Sequence, residues 1–329
     1  MGGQLEVRMT AADVGKRVSI RRAVDAPGQS AKFTDTVGVL TSWDAGVLSV
    51  TTKNGESVHI AESALVAGKV VPPAPARRRG PAASFAELAL VTARAWQPVE
   101  SETLGGWRLR ASAGFTRRAN SVLPLGDPGL PLGDALERVR HWYGERGLPA
   151  YVQAATGAEG TQELLCAGLE EHGWHREVTA DLRIAALAPI GDLDADVTAV
   201  RVSRTTDDAW LSRYQRFETP GPHVLKVLNS GPSVWFASVP GDDPAVPPAA
   251  IGRCVADGRW AGFMAVEVGP EYRRRGLATA VMAALARTAL DEGASAAWLQ
   301  VETDNEGAGA LYERMGFATH HSYHHFRPA

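Results

Sequence analysis

Residues 262–285 constrain this chain more than any other stretch. An apolar run carrying Phe263, Met264, Val266 and Val268 leads into Gly269 and Pro270, three consecutive arginines and Gly276, and then Leu277, Val281 and Leu285 recur along one helical face. The segment predicts a strand, a tight loop and a helix N-terminus, an arrangement that belongs to layered packing of helices on a sheet. The first turn of such a helix leaves backbone N–H groups without partners at the positive end of the helix dipole, so the junction is a candidate anion site. Gly276 lets a diphosphate approach the backbone, Arg273, Arg274 and Arg275 add charge there, and Thr279 offers a hydroxyl in the first turn. The loop has neither the G-x-G-x-x-G of dinucleotide folds nor the G-K-[ST] of phosphate loops.

This junction falls in the second of two halves that share an order of elements. A helix pattern ending at Gly293 leads to a strand over 296–301, a helix ending before Gly316 and Phe317, and a terminal strand. Earlier in the chain, a helix pattern ending at Gly147 leads to a strand over 150–154, a helix ending before Gly173 and Trp174, and a strand over 179–184. The separations between the paired glycines are nearly equal, and each glycine falls where a helix stops in the left-handed conformation. A diverged tandem duplication is the economical explanation, with two unrelated α/β units as the alternative.

Ahead of both halves, short β-branched runs at 17–20, 37–40, 47–52 and 58–60 alternate with turn signals at Pro27-Gly28, Asp44 to Gly46 and Asn54-Gly55. They predict a small β-barrel whose spacing resembles SH3-like barrels, with Asn54-Gly55 as a two-residue hairpin turn. A segment with Pro72, Pro73, Pro75, Pro81 and the arginines Arg77, Arg78 and Arg79 then reads as an extended linker. The expected units are a barrel over 1–71, a linker over 72–84, a first lobe over 85–190 and a second lobe over 191–329. The fold class is α/β (α+β), with mixed sheets flanked by helices.

Charge and composition narrow the partners. A formal net charge of -3 gives no electrostatic case for nucleic acid or an anionic membrane surface. Cys166 and Cys254 are far apart and form no C-x-x-C pair, which fits a reducing cytoplasm. No stretch approaches the run of about 20 apolar residues that spans a bilayer. The cluster of His320, His321, His324 and His325 suggests metal at first sight, but neighbouring residues on a strand face opposite sides and no cysteine or carboxylate group completes a site, so no metal is expected.

With these residues in view, the second lobe resembles the GNAT superfamily of acetyl-CoA-dependent N-acetyltransferases. The family signature Q/R-x-x-G-x-G/A is met by Arg273, Gly276 and Ala278, and a second element by Asn305, Ala308, Leu311, Tyr312, Gly316 and Phe317. The layout further resembles two-lobed members with an SH3-like N-terminal domain. The resemblance implies tandem GNAT-like mixed sheets, and a cofactor site for acetyl-CoA made of Val266, Val268, Arg273, Arg274, Arg275, Gly276, Leu277, Ala278, Thr279 and Asn305. The backbone of the two valines would bind the pantetheine arm where the strand splays from 296–302. It implies Tyr312 as the acid that protonates the departing thiolate, although a helix tyrosine also packs well on a sheet, and Asn305 also suits a helix cap.

Direct attack on a thioester needs a neutral amine, and a lysine-like amine is protonated at neutral pH. Glu267 is the ionisable residue of its strand and the candidate base; with strand period two, Met264, Val266 and Val268 share one face and Glu267 the other. The matching region of the first lobe, 119–133, offers prolines and Asp127 where arginines stand in the second. That lobe is therefore expected to be structural, with Arg118, Asn120 and Ser121 as possible polar contacts to substrate. Trp210, Tyr214, Phe217 and His223 lie where the acceptor cleft is expected. The acceptor is a primary amine of a small molecule or of a protein lysine or N-terminus; the alternative is a non-catalytic binding protein regulated by acetyl-CoA.

Overall fold

The structure, a computed structural model, describes residues 6–24, 32–72, 80–214, 220–243 and 245–329. The turn signal at Pro27-Gly28, the linker arginines Arg77, Arg78 and Arg79, and Phe217 lie outside the described residues.

The N-terminal unit contains β1 (Val7–Arg8), β2 (Arg17–Val24), β3 (Lys32–Asp44), β4 (Val47–Thr52), β5 (Ser57–Ala61) and β6 (Leu65–Val70). They form one six-stranded sheet in the order β1-β6-β2-β3-β4-β5, and the end strands β1 and β5 do not pair among the described residues, so the sheet is not a closed barrel. Its core is Val18, Ile20, Leu40, Leu48, Val50 and Ile60, contributed by alternating positions of four strands. The two-residue hairpin falls at Ala45 and Gly46, which connect paired Asp44 and Val47 with φ of 47° and 78°. It does not fall at Asn54-Gly55. There Thr52 N–H bonds Glu56 O, so three residues form the loop and only Gly55 takes positive φ. The Asp44 carboxylate accepts from Ala45 N–H at 2.8 Å and offsets the strain of a non-glycine residue in that conformation.

The rest of the chain runs α1 (Phe85–Ala95), β7 (Glu100–Leu104), β8 (Trp107–Ala111), β9 (Leu123–Pro124), α2 (Leu132–Gly144), β10 (Val152–Thr156), α3 (Glu163–Glu171), β11 (Trp174–Ala186) and α4 (Ala188–Gly191). It continues with β12 (Arg201–Ser203), α5 (Asp208–Arg213), α6 (Pro222–Leu228), β13 (Ser233–Val239), β14 (Ala250–Asp257), β15 (Trp260–Val268), α7 (Leu277–Asp291), β16 (Ala296–Glu302), α8 (Glu306–Arg314) and β17 (Ala318–Pro328). This is a mixed α+β architecture of sheets with flanking helices.

The expected lobes, 85–190 and 191–329, do not close separate sheets. Eight strands form one sheet in the order β10-β17-β11-β16-β15-β14-β13-β12. The last strand of each half pairs with the penultimate strand of the other, β17 with β10 and β11 with β16, while β11 and β17 pair antiparallel at the centre. A single parallel bridge, Val122 to Val152, connects the small β7-β8-β9 sheet to the outer edge of β10. One face of the large sheet packs on α7 through Val281, Met282, Leu285, Phe263 and Leu299. The opposite face packs on α1, α5 and α6 through Leu88, Val91, Trp210, Val227, Trp260 and Trp298. Helix α1 starts at the Ser84 cap, and Glu87 in its first turn accepts from Trp260 Nε1 at 2.8 Å, which ties the first half onto the second.

The N-terminal sheet docks against this body through its 53–56 loop. Thr156 Oγ1 donates to Lys53 O at 3.1 Å, Ser57 Oγ donates to Glu170 at 3.0 Å, and Arg176 donates to Gly55 O. A Cβ at Gly55 would stand 2.7 Å from both Arg176 and His324, so glycine is required there for clearance as well as for φ. No helix among the described residues is long and apolar enough to cross a membrane.

Candidate functional site

The predicted strand, loop and helix are present as β15, a turn at Pro270–Tyr272, and α7. Gly276 is the N-cap of α7 at φ 78°, and Arg274 precedes it at φ 64°. No side chain caps the helix and its first turn carries no acidic residue. The first bond from this stretch into the helix is Ala280 N–H to Gly276 O, so the backbone N–H groups of residues 274–279 donate to nothing among the described residues. Nothing lies within 4 Å of the place a Gly276 Cβ would occupy. Arg273, Arg274 and Arg275 are exposed, and Leu277, Ala278 and Thr279 are half-buried. Arg275 is steadied by Tyr272, whose ring lies 5.3 Å from its guanidinium, and by Glu271 O at 3.2 Å. A run of N–H groups without partners among the described residues, next to three exposed arginines, suits a diphosphate, so the residues present fit that part of acetyl-CoA.

The strands beside this loop separate. Parallel pairing of β15 with β16 runs from Trp260↔Ala296 to Phe263↔Leu299 and stops, although β15 continues to Val268 and β16 to Glu302. The cause is a bulge. Ala265 takes φ 52°, and the β14 register slips so that Ile251 faces Glu267 while Arg253 faces Met264, leaving Ala265 and Val266 opposite Gly252.

The bulge also corrects the expected alternation. Val266 and Val268 pack toward α7, whereas Met264 lies on the opposite face with Ile251 and Glu267. Val266 and Val268 thus border the opened edge with half-buried side chains, and half-buried Glu267 projects to the other side of the sheet.

Tyr312 sits on α8, packed against Phe317 with ring centroids 6.0 Å apart. Burial pushes its phenol up to about 12. Asn305 caps α8, its side chain accepting from Ala308 N–H at 3.1 Å. Trp210 and Tyr214 are buried core aromatics, and His223 is half-buried at the start of α6.

Of the first-half residues expected as polar contacts to substrate, Asn120 is committed to its own loop. Asn120 is buried and makes four hydrogen bonds, accepting from Ser112 and Gly114 N–H and donating to Phe115 and Thr116 O. It pins the loop 112–120, in which Thr116 takes φ 57°. This loop delivers Arg118 to Gln300 of β16, and its guanidinium also lies 5.3 Å from the Trp96 ring. Local sequence carries no signal for such a contact. Ser121 accepts from the buried Arg110 at 2.8 Å and is itself buried.

The first half has no equivalent opening. Gln162 spans the gap between β9 and β10, its Oε1 accepting from Ala155 N–H at 2.9 Å and its Nε2 donating to Pro124 O. Above it, a pocket of about 610 Å³ is lined by Leu90, Leu125, Leu130 and Leu164 together with Asp127 and Gln162, without a basic residue. Among the histidines, His324 is held by Thr156 and Thr179 hydroxyls, each at 2.9 Å, and His320 contacts His321. No group of three or more potential metal ligands is clustered among the described residues.

Comparison with known proteins gives a consistent outcome. A family model described as "Probable histone acetyltransferase Rv0428c C-terminal" matches residues 83–326, and one described as "Rv0428c N-terminal Sm-like domain" matches residues 12–69. The N-terminal sheet is therefore similar to an Sm-like domain. The Mycobacterium tuberculosis protein "Probable histone acetyltransferase Rv0428c" is 28% identical over 94% of this chain and 93% of its own length. The Bacillus subtilis "Uncharacterized N-acetyltransferase YobR" is 25% identical over 72% of this chain and 95% of its own. Among solved structures, a GCN5-related N-acetyltransferase from Kribbella flavida superposes with a TM-score of 0.54 and 17% identity, covering 75% of this chain and 96% of that one. A tandem GNAT protein from the clavulanic acid biosynthesis pathway gives 0.52 and 13%, covering 76% and 89%. These two likenesses concern the fold.

Proposed function

The chain belongs to the Rv0428c-type acetyltransferase family, a GNAT-type body with an Sm-like N-terminal domain, and from that premise we propose that it transfers an acetyl group from acetyl-CoA to a primary amine by direct attack. The observation that carries the proposal is the coincidence of an uncapped helix start with a strand splay: the N–H groups of 274–279, without partners among the described residues, follow directly on the stretch of β15 that β16 has left.

When bound, acetyl-CoA supplies an activated acetyl thioester. Residues 273–279 grip its diphosphate through N–H groups, guanidiniums and the Thr279 hydroxyl, and Asn305 reaches the pantetheine arm while capping α8. The backbone of Val266 and Val268 orients that arm along the opened edge. Tyr312 remains a neutral phenol far above pH 7, so it holds a proton that a departing thiolate can take. Glu267, on the face away from α7, removes the proton of the attacking amine. The buried thiols Cys166 and Cys254 suit a reducing cytoplasm.

Calorimetric titration with acetyl-CoA, followed by thiol release against small amines and peptides, tests the reading. Micromolar binding with amine-dependent thiol release is the expected result. Tight binding without turnover of any amine would replace the enzyme by an acetyl-CoA-responsive binding protein. Tyr312→Phe should lower kcat on the order of 10²-fold and leave the acetyl-CoA Kd unchanged.

A further inference from the structure

Three guanidinium groups on the face of the sheet away from α7, those of Arg110, Arg118 and Arg253, have no carboxylate partner among the described residues. Arg253 is fully buried, and its bonds go to Leu228, Ser230 and Ala95 O and to Met264 Sδ. Arg110 is buried with Ser121 and Gln153 as partners. Both are satisfied by neutral acceptors, so their charge is hydrogen-bonded without being neutralised. Buried charges are normally paired, because an uncompensated one in low dielectric is costly. Arg253 and Arg118 lie on the Trp96 ring at 5.0 and 5.3 Å, which brings two cations to one indole.

Arg118 is the member of this set with access. It is half-buried, and its one hydrogen bond among the described residues, from Nη1 to Gln300 Oε1, leaves Nε and Nη2 as unused donors. The Nε2 donor of Gln300 is likewise unused among the described residues. Gln300 pairs with Leu182 on the face opposite α7, at the first residue of β16 past the last rung with β15. Glu267 and Met264 project from β15 on that same face. The loop that presents Arg118 is expensive to build, with a buried asparagine spending all four of its hydrogen bonds and a threonine at positive φ. Such strain persists where the surroundings over-determine it, and it is typical of clamps that hold ligands.

We propose that the acceptor is a small primary amine that also carries an oxyanion, a carboxylate or phosphate, bound by the free edge of the Arg118 guanidinium and the Gln300 amide. The planar fork of an arginine matches either oxyanion with two parallel bonds. A lysine-rich peptide offers no oxyanion fixed beside its amine for that fork to bind. This inference rests on the acetyltransferase reading and gives its site a substrate class.

Steady-state kinetics on the full chain at saturating acetyl-CoA, with matched acceptors, tests it: an amino acid against its amide, O-phosphoethanolamine against ethanolamine, and a lysine-rich peptide. In at least one pair the oxyanion-bearing member should exceed its neutral partner at least tenfold in kcat/KM, mostly through KM, and the pair that responds identifies the oxyanion. Arg118→Gln should bring that ratio close to one, and Arg118→Lys should restore part of it. Gln300→Glu supplies Arg118 with an internal carboxylate and should erase the preference even if Arg118→Gln fails to fold. Acetyl-CoA affinity, read by calorimetry, should be the same in all variants. Preference for the peptide or the neutral partners, or a preference indifferent to Arg118 and Gln300, overturns this inference and leaves the transferase reading intact. Inert amines throughout, with acetyl-CoA bound, overturn both.

Discussion

Gly276 supplies a backbone conformation rather than clearance. Its φ of 78° turns the chain from the arginine loop into α7, and a Cβ there would meet open space. A β-branched side chain resists that conformation by about 1–2 kcal/mol, whereas asparagine tolerates it. Gly276→Val should therefore weaken acetyl-CoA binding roughly tenfold, and Gly276→Asn should keep most of the affinity. Equal losses in a calorimetric titration would show that the residue matters in some other way. The loop and the helix start at Gly276 were legible in the sequence because strand, turn signals and helix period are consecutive. The pairing of Arg118 with Gln300 was not, because the two are 182 residues apart and only the folded sheet brings them together.

At the scale of elements, the two halves contrast at equivalent gaps between strands. In the second, the bulge at Ala265 goes with the loss of β15–β16 pairing after Phe263. In the first, the Gln162 side chain puts its own amide there, bonded to both strands, and the following loop offers leucines in place of arginines. A chain built this way should bind one acetyl-CoA. Gln162→Ala orphans Ala155 N–H and should cost about 1–3 kcal/mol in denaturant unfolding, with the stoichiometry still one. Two equivalent sites in a titration of either protein would contradict the contrast. The missing arginines of the first half were visible in the sequence, but the plug was not, since glutamine before a helix has no distinctive signature. The bulge was hidden for a related reason. Strand periodicity assumes regular alternation, and nothing in the residues around Ala265 shows that it and Val266 together face Gly252 across the register shift.

For the whole molecule, exchange of the last strands decides what is buried. The order of helices and strands could be read from the glycines and apolar periods, but the sequence offered no way to see β17 inserted between β10 and β11. Pairing between halves is a long-range choice without a local pattern. Three histidines of β17 are buried within the body: burial pushes His321 down to about 3 and His324 down to about 4, and holds His325 well below its usual value. The folded chain therefore refuses protons that the unfolded chain accepts below about pH 6.5. Stability from these three groups is complete above that pH and declines as the pH falls toward 4, by up to about 1.4 kcal/mol per pH unit for each. Urea unfolding at pH 7.5 and pH 5.0 should differ by several kcal/mol, with the acid sample weaker. His321→Phe removes one of the three sites and should reduce the slope by about a third. Equal stability at the two pH values would mean that these imidazoles are hydrated in solution, against the side chains that cover them, Phe85 on His321, Thr156 and Thr179 on His324, and Tyr151 and Tyr323 on His325.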